Sequence, residues 1–304
     1  RICYVKPDLA KQYAMEAVRD GVMETADDSA LFQSWGSITI INPLEKIWNG
    51  YSDTRMGASM DSYLNGYNDP RLPVYFQPVT DGDNKGEYRG VANGMPNPQQ
   101  DDYKVMSAPN VQEKSTDSPL RWMMASEVAF LRAEGAMRGW TAEMGGTAEE
   151  FYNKGIELSF LENGLSADAA ARYAADETSK PTDFTDVSAA NTKYNISALG
   201  KITIKWNAGA SEEEQLERII TQKWIAMFPN GTEAWSEFRR TGYPRLFPVR
   251  YNYPSSGVDT NKQIRRMVFP QSEYSNNGAA VQEAVKLLGG PDNGGTKLWW
   301  DKKN

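Results

Sequence analysis

The sequence predicts an all-α fold of tetratricopeptide-like helical hairpins with long loop insertions. Its main basis is that apolar residues recur at helical spacing in paired segments and that a short turn joins the members of each pair. A further observation is that stretches rich in Gly, Pro, Asn and Asp separate the pairs. We expect residues 1–304 to form a single domain.

Two helices are predicted before the first hairpin. The first spans residues 8–23 and follows Pro7, a residue that helices accept at their start. The second spans residues 52–64 and ends at Asn65-Gly66, a pair that commonly closes a helix in the left-handed conformation.

The first hairpin is predicted to begin with a helix over residues 119–138, capped by Ser118. Thr147 and Glu150 then form a capping box, in which each side chain binds the other residue's backbone N–H. The helix that follows carries apolar residues at core spacing and ends at residues 163–164.

The second hairpin repeats this pattern. Ser211 and Glu214 have capping-box spacing before a helix that runs to Met227, and a second helix is predicted over residues 232–240. The hairpins lie roughly 90 residues apart, which is not the 34-residue period of regular repeats. Residues 165–210 are therefore interpreted as an insertion.

The remaining segments are predicted to be mostly irregular. Residues 66–118 and 243–277 are long loop regions, and Val268-Phe269 is a candidate short strand. A last helix is predicted over residues 279–288. Loops on a rigid helical scaffold are where binding groups usually lie.

Composition excludes several classes of function. The net charge of -7 disfavours nucleic acid as a partner, because polyphosphates select clustered Lys and Arg. The chain has no His, so His-based triads and His-ligated zinc are excluded. Its single Cys3 cannot form an internal disulfide. Neither a membrane span nor a signal peptide is visible.

Two acidic patterns have simpler structural explanations. Residues 81–87 resemble a calcium loop, but Ala92 stands where a bidentate Glu is needed, which favours a solvated turn. Glu127 and Glu134 lie on one predicted helical face, and Asp301 follows two Trp residues, so a carboxylate-dependent glycosidase stays open. Ion pairing with nearby Arg residues explains the two Glu residues without catalysis.

Aromatic residues in the loops are the strongest candidates for ligand binding. Pyranose rings have an apolar face that stacks on Trp or Tyr, while polar neighbours bind the hydroxyl groups. Six loop aromatics lie among Asn, Asp, Gln and Arg: Trp35, Trp48, Tyr51, Tyr75, Tyr88 and Tyr103. Trp122, Trp224 and Trp235 lie within predicted helices and are expected in the core.

Five segments together resemble one protein family, the SusD/RagB outer-membrane lipoproteins. They occur in the family's order and are residues 68–73 (NDPRLP), 126–134 (SEVAFLRAE), 224–231 (WIAMFPNG), 234–244 (AW through RRTGYP) and 298–301 (LWWD).

The resemblance implies a non-enzymatic, cofactor-free binding protein that captures glycans, or in some branches peptides, at the surface of Gram-negative bacteria. Its implied partner is a TonB-dependent outer-membrane transporter. Family members are usually longer, with an N-terminal lipidated cysteine, so we expect this chain to be the C-terminal portion. The membrane contact would then be a lipid anchor outside residues 1–304.

The sequence thus leads to a surface glycan-binding protein of a nutrient-uptake complex. A peptide receptor or protein-interaction scaffold of the same kind of complex is the alternative.

Overall fold

The computed structural model describes residues 1–96, 99–110, 118–191 and 193–303. Helices dominate these residues, and the two strands found among them form one antiparallel pair. The structure therefore confirms the predicted all-α, hairpin-based architecture with loop insertions. No helix of the described part combines the length and apolar character needed to cross a bilayer.

The elements are named in chain order. Helices α1–α12 are Pro7–Asp20, Pro43–Glu45, Ala58–Gly66, Leu72–Tyr75, Gln100–Tyr103, Ala125–Met137, Thr141–Met144, Ala148–Leu161, Ala167–Ala174, Glu212–Ala226, Gly231–Thr241 and Gln271–Leu288. Strands β1 (Ala30–Phe32) and β2 (Leu120–Met123) pair antiparallel. A π-helical turn covers Lys46–Gly50, and short 3-10 turns cover Ile2–Tyr4, Ala26–Asp28 and Pro254–Ser256.

The first hairpin consists of α6 packed along α8. The capping box that begins α8 is confirmed: the Thr147 side chain accepts from the Glu150 backbone, and the Glu150 carboxylate accepts from the Thr147 backbone. At the centre of the contact, the ring of Phe130 lies against Gly155. A Cβ atom at Gly155 would lie 2.7 Å from that ring, so the close approach requires glycine.

The second hairpin, α10 and α11, packs on the first through α10. Ser211 caps α10 by accepting from the backbone N–H of Glu214, which confirms half of the predicted capping box. Ile219 and Ile220 of α10 join Phe130 and other side chains of both hairpins in one apolar core.

Buried ion pairs join these helices to the loops. Arg71 and Asp69 are fully buried, with Arg71 Nη2 2.7 Å from Asp69 Oδ2, and Arg71 also donates to Ser159 of α8 and Gln222 of α10. Arg265 forms a similar buried pair with Asp301, at 2.6 Å. The carboxylate of Asp301 is thus already paired.

A larger ionic cluster lies between α6, α10 and α11. Arg240 places each of its terminal nitrogens 2.6 Å from an oxygen of Glu134, and its Nη2 is also 2.6 Å from Glu237. Lys223 lies 3.5 Å from both Glu127 and Glu237. Ion pairing therefore accounts for Glu127 and Glu134. Arg138, a nearby residue, is one partner of Glu134, but Lys223 and Arg240 come from distant segments of the chain.

Several predicted elements were wrong in position or type. The helix expected over residues 119–138 begins at Ala125, because Leu120–Met123 pairs with Ala30–Phe32 as a strand. Trp122 lies on that strand and is 71% exposed, so its predicted core position was also wrong. The candidate strand Val268-Phe269 does not form, and α12 begins eight residues earlier than expected.

Both predicted loop regions contain helical segments, and residues 243–277 include the 3-10 turn Pro254–Ser256 and the first residues of α12. Residues 66–118 include α4 and α5, and residues 97–98 and 111–117 of that region lie outside the described residues. The insertion over residues 165–210 contains α9, which packs on α8. The single-domain organisation stays a prediction.

Candidate functional site

One cleft brings together three of the nine tryptophans of the chain. We call it the aromatic cleft, and its volume is about 320 Å³. Its aromatic lining is Trp48, Phe76, Trp224, Phe228, Trp235 and Phe238, and its polar lining is Thr54, Arg55, Ser59, Asn93 and Gln263. Met56, Gly57, Met60, Pro109, Gly231, Ala234 and Leu246 complete it.

One wall of the aromatic cleft is a stack of rings from three segments. Trp48 lies in the π-helical turn and is nearly buried at 6% exposure. Its ring is parallel to that of Phe228, with centroids 6.0 Å apart and an interplanar angle of 10°. Phe228 follows α10 and also contacts Phe76 and Tyr75, at 5.0 and 4.8 Å. The core therefore fixes the position of this wall.

The second hairpin supplies the other two tryptophans. Trp224 of α10 packs edge-on against Tyr63, with centroids 5.7 Å apart. Trp235 of α11 donates from Nε1 to the carbonyl oxygen of Ile264 at 2.7 Å. The guanidinium of Arg239 lies 3.5 Å from the centroid of the Trp235 ring and fixes one face of it.

Arg239 remains charged in this position. Burial, together with the positive charges of Arg1 and Arg265, lowers the pKa of Arg239 to about 10. Its Nη1 donates to the carbonyl oxygen of Arg265 at 2.7 Å. The guanidinium cation is therefore present at neutral pH, and it packs against one face of the Trp235 indole.

Polar groups line the rim of the aromatic cleft. Arg55 donates to the carbonyl oxygens of Ser52, Thr54 and Lys104, so its guanidinium is held by backbone. Gln263 donates from Nε2 to a backbone carbonyl at 3.1 Å. The side chain of Asn93 is exposed. The rim thus presents amide, hydroxyl and guanidinium groups next to flat rings.

This arrangement suits binding better than catalysis. Among the described residues that line the aromatic cleft there is no Asp or Glu, so the lining supplies no acid–base pair for glycoside cleavage. Large apolar rings with a few polar groups are the usual composition of a small-molecule site. The cleft can bury an apolar ligand face while its rim binds hydroxyl or amide groups.

The structure distributes the six predicted binding residues widely. Trp48 lines the aromatic cleft, and Tyr51 follows directly after the same π-helical turn. Tyr103 ends α5, next to Lys104, whose carbonyl oxygen holds Arg55. These three residues therefore lie in segments that shape the cleft or its rim.

The other three lie elsewhere. Tyr75 is only 2% exposed, and its ring packs between core aromatics. Tyr88 packs against the same core, and its backbone carbonyl accepts from Asn65. Trp35 is 82% exposed on a separate loop that is bridged to Ile38. Ligand binding by all six remains a prediction.

Sequence reasoning assigned Trp224 and Trp235 to the core, whereas both are half-buried and line the aromatic cleft. Trp224 directly follows Lys223 of the ionic cluster, and Trp235 lies two positions before Glu237, so both rings lie beside the buried face of their helix. The sequence signal that could have identified these two residues as cleft residues is an aromatic residue at the edge of the buried face of a helix.

Two other cavities lack the cluster of aromatic rings that lines the aromatic cleft. One of about 370 Å³ lies between α1 and α6, and its carboxylates, Glu134 and Glu237, are both paired with Arg240. Another of about 310 Å³ lies between α8 and α9, and its lining combines five alanines and Trp206 with the polar side chains of Glu149, Asn153, Glu157 and Lys205. In the described part of the chain no group of three or more Asp, Glu or Cys side chains could hold a metal.

Comparisons with known proteins agree on one family. The SusD-like family model, described as Susd and RagB outer membrane lipoprotein, matches residues 1–301. A chitin-binding SusD homolog from Flavobacterium johnsoniae is 43% identical with a TM-score of 0.90, and the match covers 100% of this chain and 61% of that one. No curated protein matches the chain.

Two further solved structures resemble the chain equally well. A susD homolog from Bacteroides thetaiotaomicron is 41% identical with a TM-score of 0.90, and the match covers 100% of this chain and 62% of that one. A susd homolog from Bacteroides vulgatus is 37% identical with a TM-score of 0.91, covering 100% and 60%. The chain thus spans about three fifths of the length of these relatives.

Proposed function

We propose, on the premise that this chain belongs to the SusD/RagB family of outer-membrane lipoproteins, that its aromatic cleft binds a glycan for nutrient uptake. The family identified from the five sequence segments is confirmed by the match over residues 1–301. One observation carries the proposal: Trp48, Trp224 and Trp235 line one cleft whose rim is amide and guanidinium groups.

The physical reason is the two-sided nature of a sugar ring. Its axial C–H groups form an apolar patch, and covering this patch with an indole ring is favourable for binding. Its hydroxyl groups need hydrogen-bond partners when they leave water. Asn93 and Gln263 carry amides that can both donate and accept. A cleft with only rings would select apolar ligands, and a cleft with only charges would select ions.

The proposed ligand class is a glycan with N-acetylated hexosamine units. The Flavobacterium johnsoniae relative is described as chitin-binding, and it is 43% identical to this chain. An acetamido group adds a methyl group for aromatic contact and an amide for hydrogen bonding with Asn93 or Gln263. Both needs match the lining of the aromatic cleft.

The whole protein is proposed to act at the cell surface, held by an N-terminal lipid and associated with a TonB-dependent outer-membrane transporter. Family membership supports this part of the proposal. Binding without catalysis suits such a role, because a captured ligand must be released intact to the transporter. Co-purification of the full-length protein with an outer-membrane transporter from its native cells tests the partner.

The binding proposal is tested by calorimetry on the full-length protein with N-acetylglucosamine oligomers. Replacing Trp235 by Ala should weaken binding about tenfold or more, because one stacking face is lost. Replacing Trp122 by Ala is the matched control, because this exposed Trp of β2 does not line the aromatic cleft, and it should leave the affinity unchanged. Thermal unfolding of each variant establishes that it is folded.

Three outcomes contradict the proposal. Absence of binding by the wild type would contradict an N-acetylated glycan as ligand, and binding of mixed peptides instead would favour the peptide-receptor alternative. Loss of binding in W35A with normal binding in W235A would place the site on the separate loop at Trp35. Release of shorter sugars during incubation would contradict a purely binding role.

A further inference from the structure

A pair of exposed tyrosines lies on the loop that follows Val249. Tyr251 and Tyr253 are 45% and 71% exposed, and their ring centroids are 5.5 Å apart at an interplanar angle of 77°. In such an edge-on pair the rings support each other, yet each leaves surface open to solvent. The two rings therefore form one exposed aromatic patch on this loop.

Backbone hydrogen bonds hold this loop in place. Val249 N–H donates to the Thr260 carbonyl at 3.0 Å, and Ser256 N–H donates to the Tyr253 carbonyl at 2.9 Å. Arg250 follows Val249 directly, and its guanidinium lies 5.8 Å from the centroid of the Tyr194 ring. The tyrosine pair is therefore presented by an ordered loop, which limits the entropy lost on binding.

The same loop forms part of the rim of the aromatic cleft. The N–H of Arg250 donates to the carbonyl oxygen of Asn93 at 2.9 Å, and Asn93 lines the cleft. The next residue, Gly94, has φ 74° and lies so close that a Cβ atom there would be 2.9 Å from the Tyr251 carbonyl oxygen. The backbone of Tyr251 is therefore within roughly 10 Å of the cleft rim, since consecutive Cα atoms are 3.8 Å apart.

The far side of the loop is tied to the cleft as well. Gln263 lines the aromatic cleft, and its amide donates to the carbonyl of Phe247, two residues before Val249. Ile264, the next residue, accepts from the indole of Trp235. The loop is thus attached to the cleft at both of its ends, at Asn93 and at Gln263.

We propose that Tyr251 and Tyr253 form an outer stacking subsite, continuous with the aromatic cleft, that holds further sugar units of a longer glycan. A short oligomer would occupy the cleft alone, between Trp235 and Trp48. A longer oligomer would leave the cleft past Asn93 and stack on the tyrosine pair. The inference rests on the proposed glycan-binding function and adds a preference for ligand length.

The test compares N-acetylglucosamine oligomers of two to six units by calorimetry on the full-length protein. The wild type should bind the hexamer more tightly than the dimer. The Y251A/Y253A double variant should bind the dimer as the wild type does, while its hexamer affinity falls about tenfold, which is the loss of one or two stacking contacts. The single variant Y253A, which removes the more exposed ring, should lose part of that factor.

The matched control is Tyr13, an exposed tyrosine of α1, and Y13A should bind every oligomer as the wild type does. Equal hexamer and dimer affinities in the wild type, or an equal loss for both in the double variant, would overturn the subsite while leaving binding in the cleft intact. A wild type that binds no oligomer would overturn the proposed function and the subsite together. If the double variant fails to unfold cooperatively, Y253A alone decides the outcome.

Discussion

Helices α10 and α11 have two different faces. On one face, Lys223 of α10 and Glu237 and Arg240 of α11 are buried in the ionic cluster. On the other, Trp224 of α10 and Trp235 of α11 are half-buried and line the aromatic cleft. Neighbouring residues in a helix point about 100° apart, so the same two helices hold both regions.

The two faces differ in how easily a side chain can be replaced. The ionic face is fully desolvated, so removing one partner leaves another charge buried without compensation. The aromatic cleft is open to solvent, and water can replace a lost polar group of its rim. The two faces are therefore only one or two residues apart along each helix, and variants should affect stability on the ionic face and affinity at the aromatic cleft.

The largest expected effect is on the ionic face. Replacing Arg240 by Met keeps the volume but leaves Glu134 and Glu237 without their bidentate partner, so the free energy of unfolding should fall by about 3 kcal/mol or more. Urea unfolding measures it. Arg245 is half-exposed and lies 3.8 Å from Glu217, so R245M is the control and should change stability by less than about 1 kcal/mol. A loss in R240M no greater than in R245M would contradict a structural role for the ionic cluster.

Acid should weaken the same face. Burial alone would raise the pKa of Glu134, but the charge and hydrogen bonds of Arg240 outweigh it and lower that pKa to about 2. A pKa below the ordinary 4.5 means that the contribution is complete above about pH 5 and is lost as the pH falls towards 2. The expected loss is on the order of 3 kcal/mol, measured by urea unfolding at several pH values.

The acid prediction needs an internal control, because other carboxyl groups titrate in the opposite direction. Burial raises the pKa of Glu162 and of Glu217, so the folded state takes up their protons more readily as the pH falls. Comparing wild type with R240M cancels these contributions. The difference in stability between the two proteins should shrink between pH 5 and pH 2, and a constant difference would contradict the assignment.

Buried ion pairs, of which the ionic face is one group, also explain why the fold could be predicted from sequence. Four of the five segments that carry the family resemblance contain a buried charged residue of the scaffold: Arg71, Glu134, Arg240 and Asp301. Helix periodicity and the cap at Thr147 depend on neighbours within one turn, which a sequence displays directly. Leu120–Met123 was misjudged because its strand partner lies about 90 residues away, at β1.

The aromatic cleft was less predictable for the same reason. Trp48 was predicted to lie in a loop near polar groups, but it lies in a π-helical turn, and its stacking on Phe228 is a tertiary contact. Tyr75 shows the same pattern in sequence and lies in the core, because Phe228 packs over it as well. Local sequence therefore separates scaffold from loop, whereas burial of a given ring depends on distant segments.

An intermediate effect is expected where the two hairpins require a close approach. Replacing Gly155 by Ala would place a Cβ atom 2.7 Å from the ring of Phe130, which must shift within a dense core, and this should cost about 1–3 kcal/mol. Gly278 of α12 is the control, since a Cβ atom there meets nothing within 4 Å. G278A should not lower the midpoint of thermal unfolding, because Ala is the better helix former and meets no clash there. A stabilised G155A would mean that the packing of α6 on α8 is looser than described.

The smallest effect on stability is expected at the rim of the aromatic cleft. A variant there should change affinity without changing stability, and it therefore distinguishes the cleft from the ionic face. The side chain of Asn93 is exposed, so N93A should change the free energy of unfolding by less than about 0.5 kcal/mol. It removes one amide from the cleft, and the affinity for N-acetylglucosamine oligomers should fall severalfold, because a lost hydrogen bond costs about 1 kcal/mol. Asn276, an exposed residue of α12, is the control, and N276A should change neither quantity. If N93A lost as much stability as R240M, the rim and the ionic face would not be independent. An exposed side chain such as Asn93 can change affinity without changing stability only if the helices beneath it keep their positions when it is removed.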